Sequence, residues 1–275
     1  MRGNHRTAVH VSPLTSHLSP LNWTLLLDAG RPGWQNMAID SALLDLADGE
    51  GAAFLRLYSW TPYCLSFGRH EPATRRYPRA EIEARGLDCV RRPTGGRAVW
   101  HARELTYAVA APLEPFGGLQ AAYRRIHAML VAALGNIVTG GQWTLADAAR
   151  PLGPASGPCF SAPVGGEVLL GGGKVIGSAQ LRQGNAFLQH GSVLLENDQS
   201  LLSSLAGLGA APEGASLSAV LGRAVGFAEA ADAIVQAAPD RLGPLSPETE
   251  LPAVVAARAA IHYERFRDST WTWQR

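Results

Sequence analysis

Residues 91–112 read RRPTGGRAVWHARELTYAVAAP, and the way this stretch divides decides the fold class. From 104 onward Leu105, Tyr107 and Val109 alternate with Glu104, Thr106 and Ala108. That period of two belongs to a strand with two unlike faces. The segment RAVWHA (97–102) has the same character, so 97–112 predicts a hairpin. Before it, GLDCVRRP (86–93) predicts another strand that ends in two arginines, after which Thr94, Gly95 and Gly96 turn the chain.

Working outward, WTLLLDAG (23–30) reads as a first strand, and NMAIDSALLDLADG (36–49) as a helix with Asn36 as N-cap and Gly49 as stop. AFLRLYSW (53–60) and PYCLSFGR (62–69) read as a pair of strands around a Thr-Pro turn. Core packing accounts for Cys64 in the second of these and for Cys89 in the strand that follows. Downstream, Leu119, Tyr123, Ile126, Leu130 and Leu134 recur every three to four residues, which predicts a helix over 119–137 closed by Gly135. EVLLGGGKVIGSAQLR (167–182) reads as two β arms around three glycines, and AFLQHGSVLLE (186–196) as a further strand. The segments 227–238 and 252–266 read as helices. Strands therefore crowd the first two thirds instead of alternating with helices. That order predicts an α+β fold, with a largely antiparallel or mixed β-sheet flanked by helices. There is no internal repeat. The expected organisation is a flexible N-terminal tail over 1–20 and a single domain over 21–275, with one breaker-rich loop at 150–166.

Composition narrows the function classes. The chain has 275 residues, 47% hydrophobic and 17% charged, with a formal net charge of +1. It can bury a full core, and its charge offers no general attraction to nucleic acid or to an anionic membrane. No apolar run reaches the eighteen residues of a membrane-spanning helix. His5, His10 and His17 are irregularly spaced in a polar tail, so no metal site is expected there. The three cysteines, 64, 89 and 159, show no C-x-x-C spacing and cannot all pair, which reads as free thiols in a reducing cytoplasm.

Four features could carry chemistry. Around Gly95 and Gly96 the backbone can approach a ligand and offer N–H groups, with Arg91, Arg92 and Arg97 close by; the plainer reading is a tight turn with a solvated basic rim. Lys174 follows a glycine run, either facing solvent or donating into a narrow groove. His190, before Gly191, is either a core histidine or a base. Cys159 sits in GPCFSAP (157–163), a proline- and glycine-rich loop, where a cysteine is either incidental or placed to react.

Taken in order, NMAID (36–40), CLSFGR (64–69), RRPTGGRAVWH (91–101), GPCF (157–160), GGGKVIGSAQLRQ (171–183) and LQHGSVLL (188–195) resemble the lipoate–protein ligase and octanoyltransferase superfamily. The resemblance runs from about Trp23 to Glu196 and implies the biotin/lipoate ligase catalytic-domain fold. Arg97 in GGRAVWH and the PCF before the lysine strand are similar to the cysteine-dependent octanoyltransferases typified by Gram-positive bacteria. Ser41 and His70 stand where the family favours Glu and Gln, and Ala102 where Asp is common, so the peripheral contacts differ.

The resemblance implies a mechanism. Cys159 would attack the octanoyl thioester of acyl carrier protein, and the acyl group would then pass to a lysine ε-amine on a lipoyl domain, of glycine cleavage H protein or a dehydrogenase E2 subunit, in lipoate biosynthesis. Lys174 would steady the oxyanion, and Lys174, His101 or His190 would take the amine proton. Arg92, Thr94, Gly95, Gly96, Arg97, Ala98, Val99, His101, Gly177, Ser178, Ala179, His190 and Gly191 would form the substrate site, with Arg91, Arg92 and Arg97 also recruiting acidic partners. No cofactor and no metal is expected. The alternatives are an ATP-dependent lipoate ligase, an amidotransferase between two lipoyl domains, and a non-catalytic carrier-binding subunit.

Overall fold

A computed structural model of the protein describes residues 21–145, 168–207 and 215–274. The expected tail at 1–20 and the 150–166 loop with Cys159 lie outside the described residues. In chain order the first half holds β1 (Trp23–Leu27), α1 (Gly33–Glu50), β2 (Ala53–Tyr58), β3 (Cys64–Phe67), α2 (Ala73–Arg76), α3 (Arg79–Ala84), β4 (Asp88–Arg91), β5 (Val99–His101), β6 (Glu104–Pro112) and α4 (Leu119–Ile137). The second half holds β7 (Trp143–Leu145), β8 (Val168–Leu170), β9 (Gly173–Gln183), β10 (Ala186–Leu194), α5 (Ser200–Leu205), α6 (Leu217–Leu221), α7 (Phe227–Ala237), β11 (Leu245–Glu248), α8 (Ala253–Arg267) and α9 (Ser269–Thr272).

The fold is α+β. Eight strands form one mixed sheet in the order β11-β1-β2-β6-β10-β9-β8-β7, and β4-β3-β5 form a second, three-stranded sheet. β1 runs parallel to β11 and β2, and every pairing from β2 to β7 is antiparallel. At the centre β6 and β10 pair over nine positions, from Glu104 opposite Leu194 to Pro112 opposite Ala186.

The alternation along β6 does mark two faces, but neither meets water. Leu105, Tyr107 and Val109 pack with Ile126 and Leu130 of α4 and Ile234 of α7. Ala108 and Ala110 pack with Leu43 of α1, Leu188 of β10 and Val255 of α8. Each large apolar side chain buried this way contributes about 1.5–3 kcal/mol. The amphipathic α4 spans the predicted residues, although Gly135 lies inside it and Val138 is the cap.

Three local expectations are corrected. The predicted hairpin is absent: β5 pairs with β3 in the small sheet, whereas β6 pairs with β2 and β10. Likewise β2 and β3 belong to different sheets and do not pair. Helix α1 starts at Gly33 behind Pro32, and the Asn36 amide donates instead to the carbonyls of Arg31 and Ser59; Gly51, with φ of +69°, ends the helix two residues beyond Gly49. Cys64 is fully buried, but Cys89 is only half-buried. Among the described residues no helix is long and apolar enough to cross a membrane.

Candidate functional site

A cavity of about 420 Å³ opens where the small sheet meets the middle of the large one. That is within the range of about 300–1,000 Å³ usual for small-ligand sites. The turn after β4 contributes Arg92, Gly95, Gly96 and Arg97, and β5 contributes Val99 and His101. β9 adds Gly177, Ser178 and Ala179, and β10 adds His190 and Gly191. The predicted residues, scattered over a hundred positions of sequence, thus face one space. Two of them stand behind the wall. Thr94 is buried and bonds His190 Nε2 at 2.6 Å, and Ala98 packs with Leu65, Phe67 and Trp100. Lys174 is buried on β9, opposite Leu169 of β8 and three residues from the cavity-lining Gly177.

Two glycines are required by geometry. Gly96 has φ of +94°, a conformation other residues rarely adopt. At Gly191 a Cβ would lie 2.4 Å from the Gly177 carbonyl oxygen on the neighbouring strand.

The arginines do not form a solvated rim. Arg91, Arg92 and Arg97 are all buried. Arg92 donates to the carbonyls of Ser66, Gly95 and Arg97 and to Ser66 Oγ, so it clasps the turn that walls the cavity. Its neighbour Arg91 points the other way along the strand pleat and donates to the carbonyls of Gly68, Glu71, Trp271, Thr272 and Gln274. One guanidinium holds the turn and the next holds the segment after α8. The expectation that these three recruit acidic partners is therefore corrected: Arg91 and Arg92 spend their donors on carbonyls inside the protein, and Arg97 is buried in the cavity lining. The exposed arginine beside the turn is Arg69, whose backbone N–H donates to the Thr94 carbonyl.

Two histidines that line the cavity are each paired with a buried carboxylate behind it. His190 Nδ1 lies 2.8 Å from Asp40 Oδ2. Asp40 also accepts from Arg56 Nη1 at 2.9 Å and from the Tyr58 hydroxyl at 2.8 Å, and Arg56 reaches on to Asp28. Burial alone would raise the Asp40 carboxyl, but the bond from His190 and the charge of Arg56 hold it below the usual carboxylate range. Burial outweighs Asp40 at His190 and lowers that imidazole, so it stays neutral. In the second pair His101 Nδ1 lies 2.7 Å from Glu104 Oε1, and Nε2 lies 2.6 Å from Ser66 Oγ. The imidazole stacks on Trp60, ring centroids 4.0 Å apart. Glu104 Oε1 also accepts from Thr106 and Ser192, while Glu104 Oε2 is buried with no partner among the described residues. Near it, burial and the charge of Glu104 push the Asp198 carboxyl up to about 6.

On the α4 side the Tyr107 hydroxyl and His127 Nε2 both bond Ser178 Oγ, at 2.6 and 2.8 Å, and Gln189 donates to Tyr107. Burial pushes the Tyr107 hydroxyl up to about 12, which keeps it a neutral donor. The cavity therefore combines apolar or small walls, such as Met37, Val99 and Ala179, with a polar end built from Ser66, His101, Thr106 and Ser192. Among the described residues no cluster of three or more metal-ligating side chains exists. Both described cysteines are held as thiols by burial: Cys64 well above its usual value, and Cys89, helped by Asp88, at about 12.

Residues 32–238 match the lipoyl protein ligase A/B catalytic domain. The chain belongs to that family. Its lipoyl ligase A/B relatives include the octanoyltransferase LipM of Exiguobacterium sibiricum, 33% identical over 92% of this chain and 99% of that protein. LipM of Symbiobacterium thermophilum is 36% identical over 77% of this chain and 83% of its own length. LipM of Carboxydothermus hydrogenoformans is 38% identical, but the chain spans only 61% of that protein's length. Among solved structures, lipoate-protein ligase A bound with ATP superposes with a TM-score of 0.76 over 92% of this chain and 99% of the other, at 18% identity. The bipartite lipoate protein ligase of Thermoplasma acidophilum, described with its E2 lipoyl domain, gives 0.70 at 17% identity over 92% and 96%. These likenesses establish the lipoyl ligase fold.

Within that family frame, sequence reasoning missed the supporting residues Asp40, Ser66, Trp60, Glu104, Thr106, Tyr107 and His127. A signal existed for two pairs. Asp40 interrupts an apolar helix and Arg56 an apolar strand, which marks a buried ion pair. Glu104 opens an apolar strand three residues after His101.

Proposed function

We propose that the protein moves an octanoyl group from the thioester of an acyl carrier to a lysine ε-amine of a lipoyl domain, as part of cytoplasmic lipoate biosynthesis. The observation that carries this reading is the cavity itself: a small, largely apolar space walled by the 92–97 turn and the 177–179 strand segment, in a chain related to octanoyltransferases along its length. The Thermoplasma relative described with an E2 lipoyl domain supports a lipoyl-domain acceptor, glycine cleavage H protein or a dehydrogenase E2 subunit being the kinds implied.

In this mechanism Cys159 is the nucleophile. Of the other two thiols Cys64 is fully buried and Cys89 half-buried, and both are held protonated, so neither suits attack. The Cys159 thiolate adds to the thioester carbonyl, the carbon–sulfur bond to the carrier breaks, and the carrier thiol leaves with the proton Cys159 gave up. The acceptor amine then attacks the octanoyl-S-enzyme, and amide formation drives the transfer without ATP. Lys174 stabilises each tetrahedral oxyanion, a role worth about 10²–10³-fold in rate. Arg69, exposed beside the turn, takes over the attraction of acidic carrier surfaces, an effect that weakens with salt.

The test is direct. Incubation with octanoyl-acyl carrier protein without ATP should give an octanoyl adduct by intact mass, absent in Cys159→Ala. An adduct or product that appears only with ATP and free octanoate would establish a ligase instead.

A further inference from the structure

Octanoyl transfer to lysine, the reading above on which this inference rests, requires a base. Lysine has a pKa near 10.4, so fewer than about one ε-amine in a thousand is uncharged at pH 7. Three cavity or near-cavity groups could take its proton, and their surroundings differ.

We infer that His101 takes the proton of the acceptor ammonium, with Ser66 as the relay and Glu104 as the positioning residue. His101 and Ser66 both line the cavity, and the Ser66 hydroxyl lies 2.6 Å from His101 Nε2. Arg92 Nη1 donates to Ser66 Oγ at 3.0 Å, which leaves the serine's own proton directed at the imidazole. The ring cannot swing away. Trp60 stacks on it, and Thr106 ties Trp60 Nε1 at 2.7 Å to the carboxylate that holds Nδ1.

The decisive contrast is the state of the two carboxylates. Asp40, behind His190, already carries the charge of Arg56 and the Tyr58 hydroxyl, and Thr94 occupies the other nitrogen. His190 has nothing to gain by becoming a cation. Among the described residues Glu104 pairs with no arginine or lysine, and its Oε2 has no partner. A buried carboxylate left without a counter-charge is costly, and an imidazolium at His101 supplies that charge.

The step balances. The ammonium gives one proton to Ser66 Oγ as the serine proton moves to His101 Nε2. The amine nitrogen forms the new bond to the carbonyl carbon. As the carbon–sulfur bond breaks, the second nitrogen proton goes to the departing sulfur, and the imidazolium later returns its proton to solvent.

The test separates the half-reactions. Octanoyl-enzyme is made from octanoyl-pantetheine, freed of donor, and offered either a lipoyl domain or hydroxylamine, whose nitrogen is uncharged at neutral pH. In His101→Gln, transfer to lysine should fall about 10²–10⁴-fold while release by hydroxylamine stays within about threefold of native. Glu104→Gln should show the same selectivity to a smaller degree, and it serves if the first variant does not fold. Equal loss with both acceptors would reduce His101 to a structural residue, and no loss with lysine would assign the base elsewhere. Failure of the native protein to form octanoyl-enzyme would overturn the transferase reading itself and this inference with it.

Discussion

Asp40→Asn tests whether the buried charge network holds the site together. The carboxylate lies at the meeting of α1, β2 and β10, with Arg56, Tyr58 and His190 bonded to its two oxygens at 2.8–2.9 Å. Removing one partner of a buried ion pair costs about 3–5 kcal/mol. Arg56 keeps Asp28 at 2.6 Å and the Asn36 side chain, and asparagine keeps one acceptor, so the loss should sit at the lower end, about 3 kcal/mol. For a chain of this size that is about 6–12 °C in Tm. The pH dependence carries the same sign from two groups. Asp40 is lowered in the folded state, so its contribution is present above the unfolded carboxyl value of about 3.9 and is lost as pH falls through the folded value. His190 is also lowered, so the unfolded chain takes its proton first and stability declines as pH drops below about 6.5. Urea unfolding at pH 8, 6 and 5 measures the His190 effect, and extending the series to pH 3 measures that of Asp40. A variant within about 1 kcal/mol of native at pH 8, or a native protein equally stable at all these values, would refute the network's role.

Three further outcomes follow from the geometry. Gly191→Ala forces a Cβ onto the Gly177 carbonyl and should cost about 1–3 kcal/mol by overpacking, read as a lower urea midpoint together with weaker octanoyl loading. Arg91→Met strands several buried carbonyls and should release the segment after α8, seen as faster tryptic cleavage at Arg265 and Arg267 under native conditions. Cys64 and Cys89, held as thiols by burial, should resist iodoacetamide at pH 8 in the folded protein and react after urea unfolding, as peptide mass mapping would show.

Local order was easier to read than partnership. The apolar period of α4 and the β arms of β9 and β10 were legible because each is fixed by its own side-chain spacing. The pattern over 97–112 showed two strands but not that they diverge into separate sheets, since period two records faces and not neighbours. β5 has three residues, too few to specify a register. At the site, the glycine turn and the 177–179 segment were visible as breakers and small residues beside apolar runs. The meaning of Arg91 and Arg92 was not, because a buried arginine and a solvated one look alike until its carbonyl acceptors, up to 183 residues away, are known. The same holds for Glu104, whose Oε2 is buried with no partner among the described residues.

The back-to-back grip of Arg91 and Arg92 has a practical corollary. Because adjacent guanidiniums fasten the segment around α9 and the cavity-walling turn to a single short strand, tension applied at one is felt at the other. A pull applied through Gln274 would reach the cavity wall, whereas the same pull at Trp23 would load β1, a strand of the other sheet.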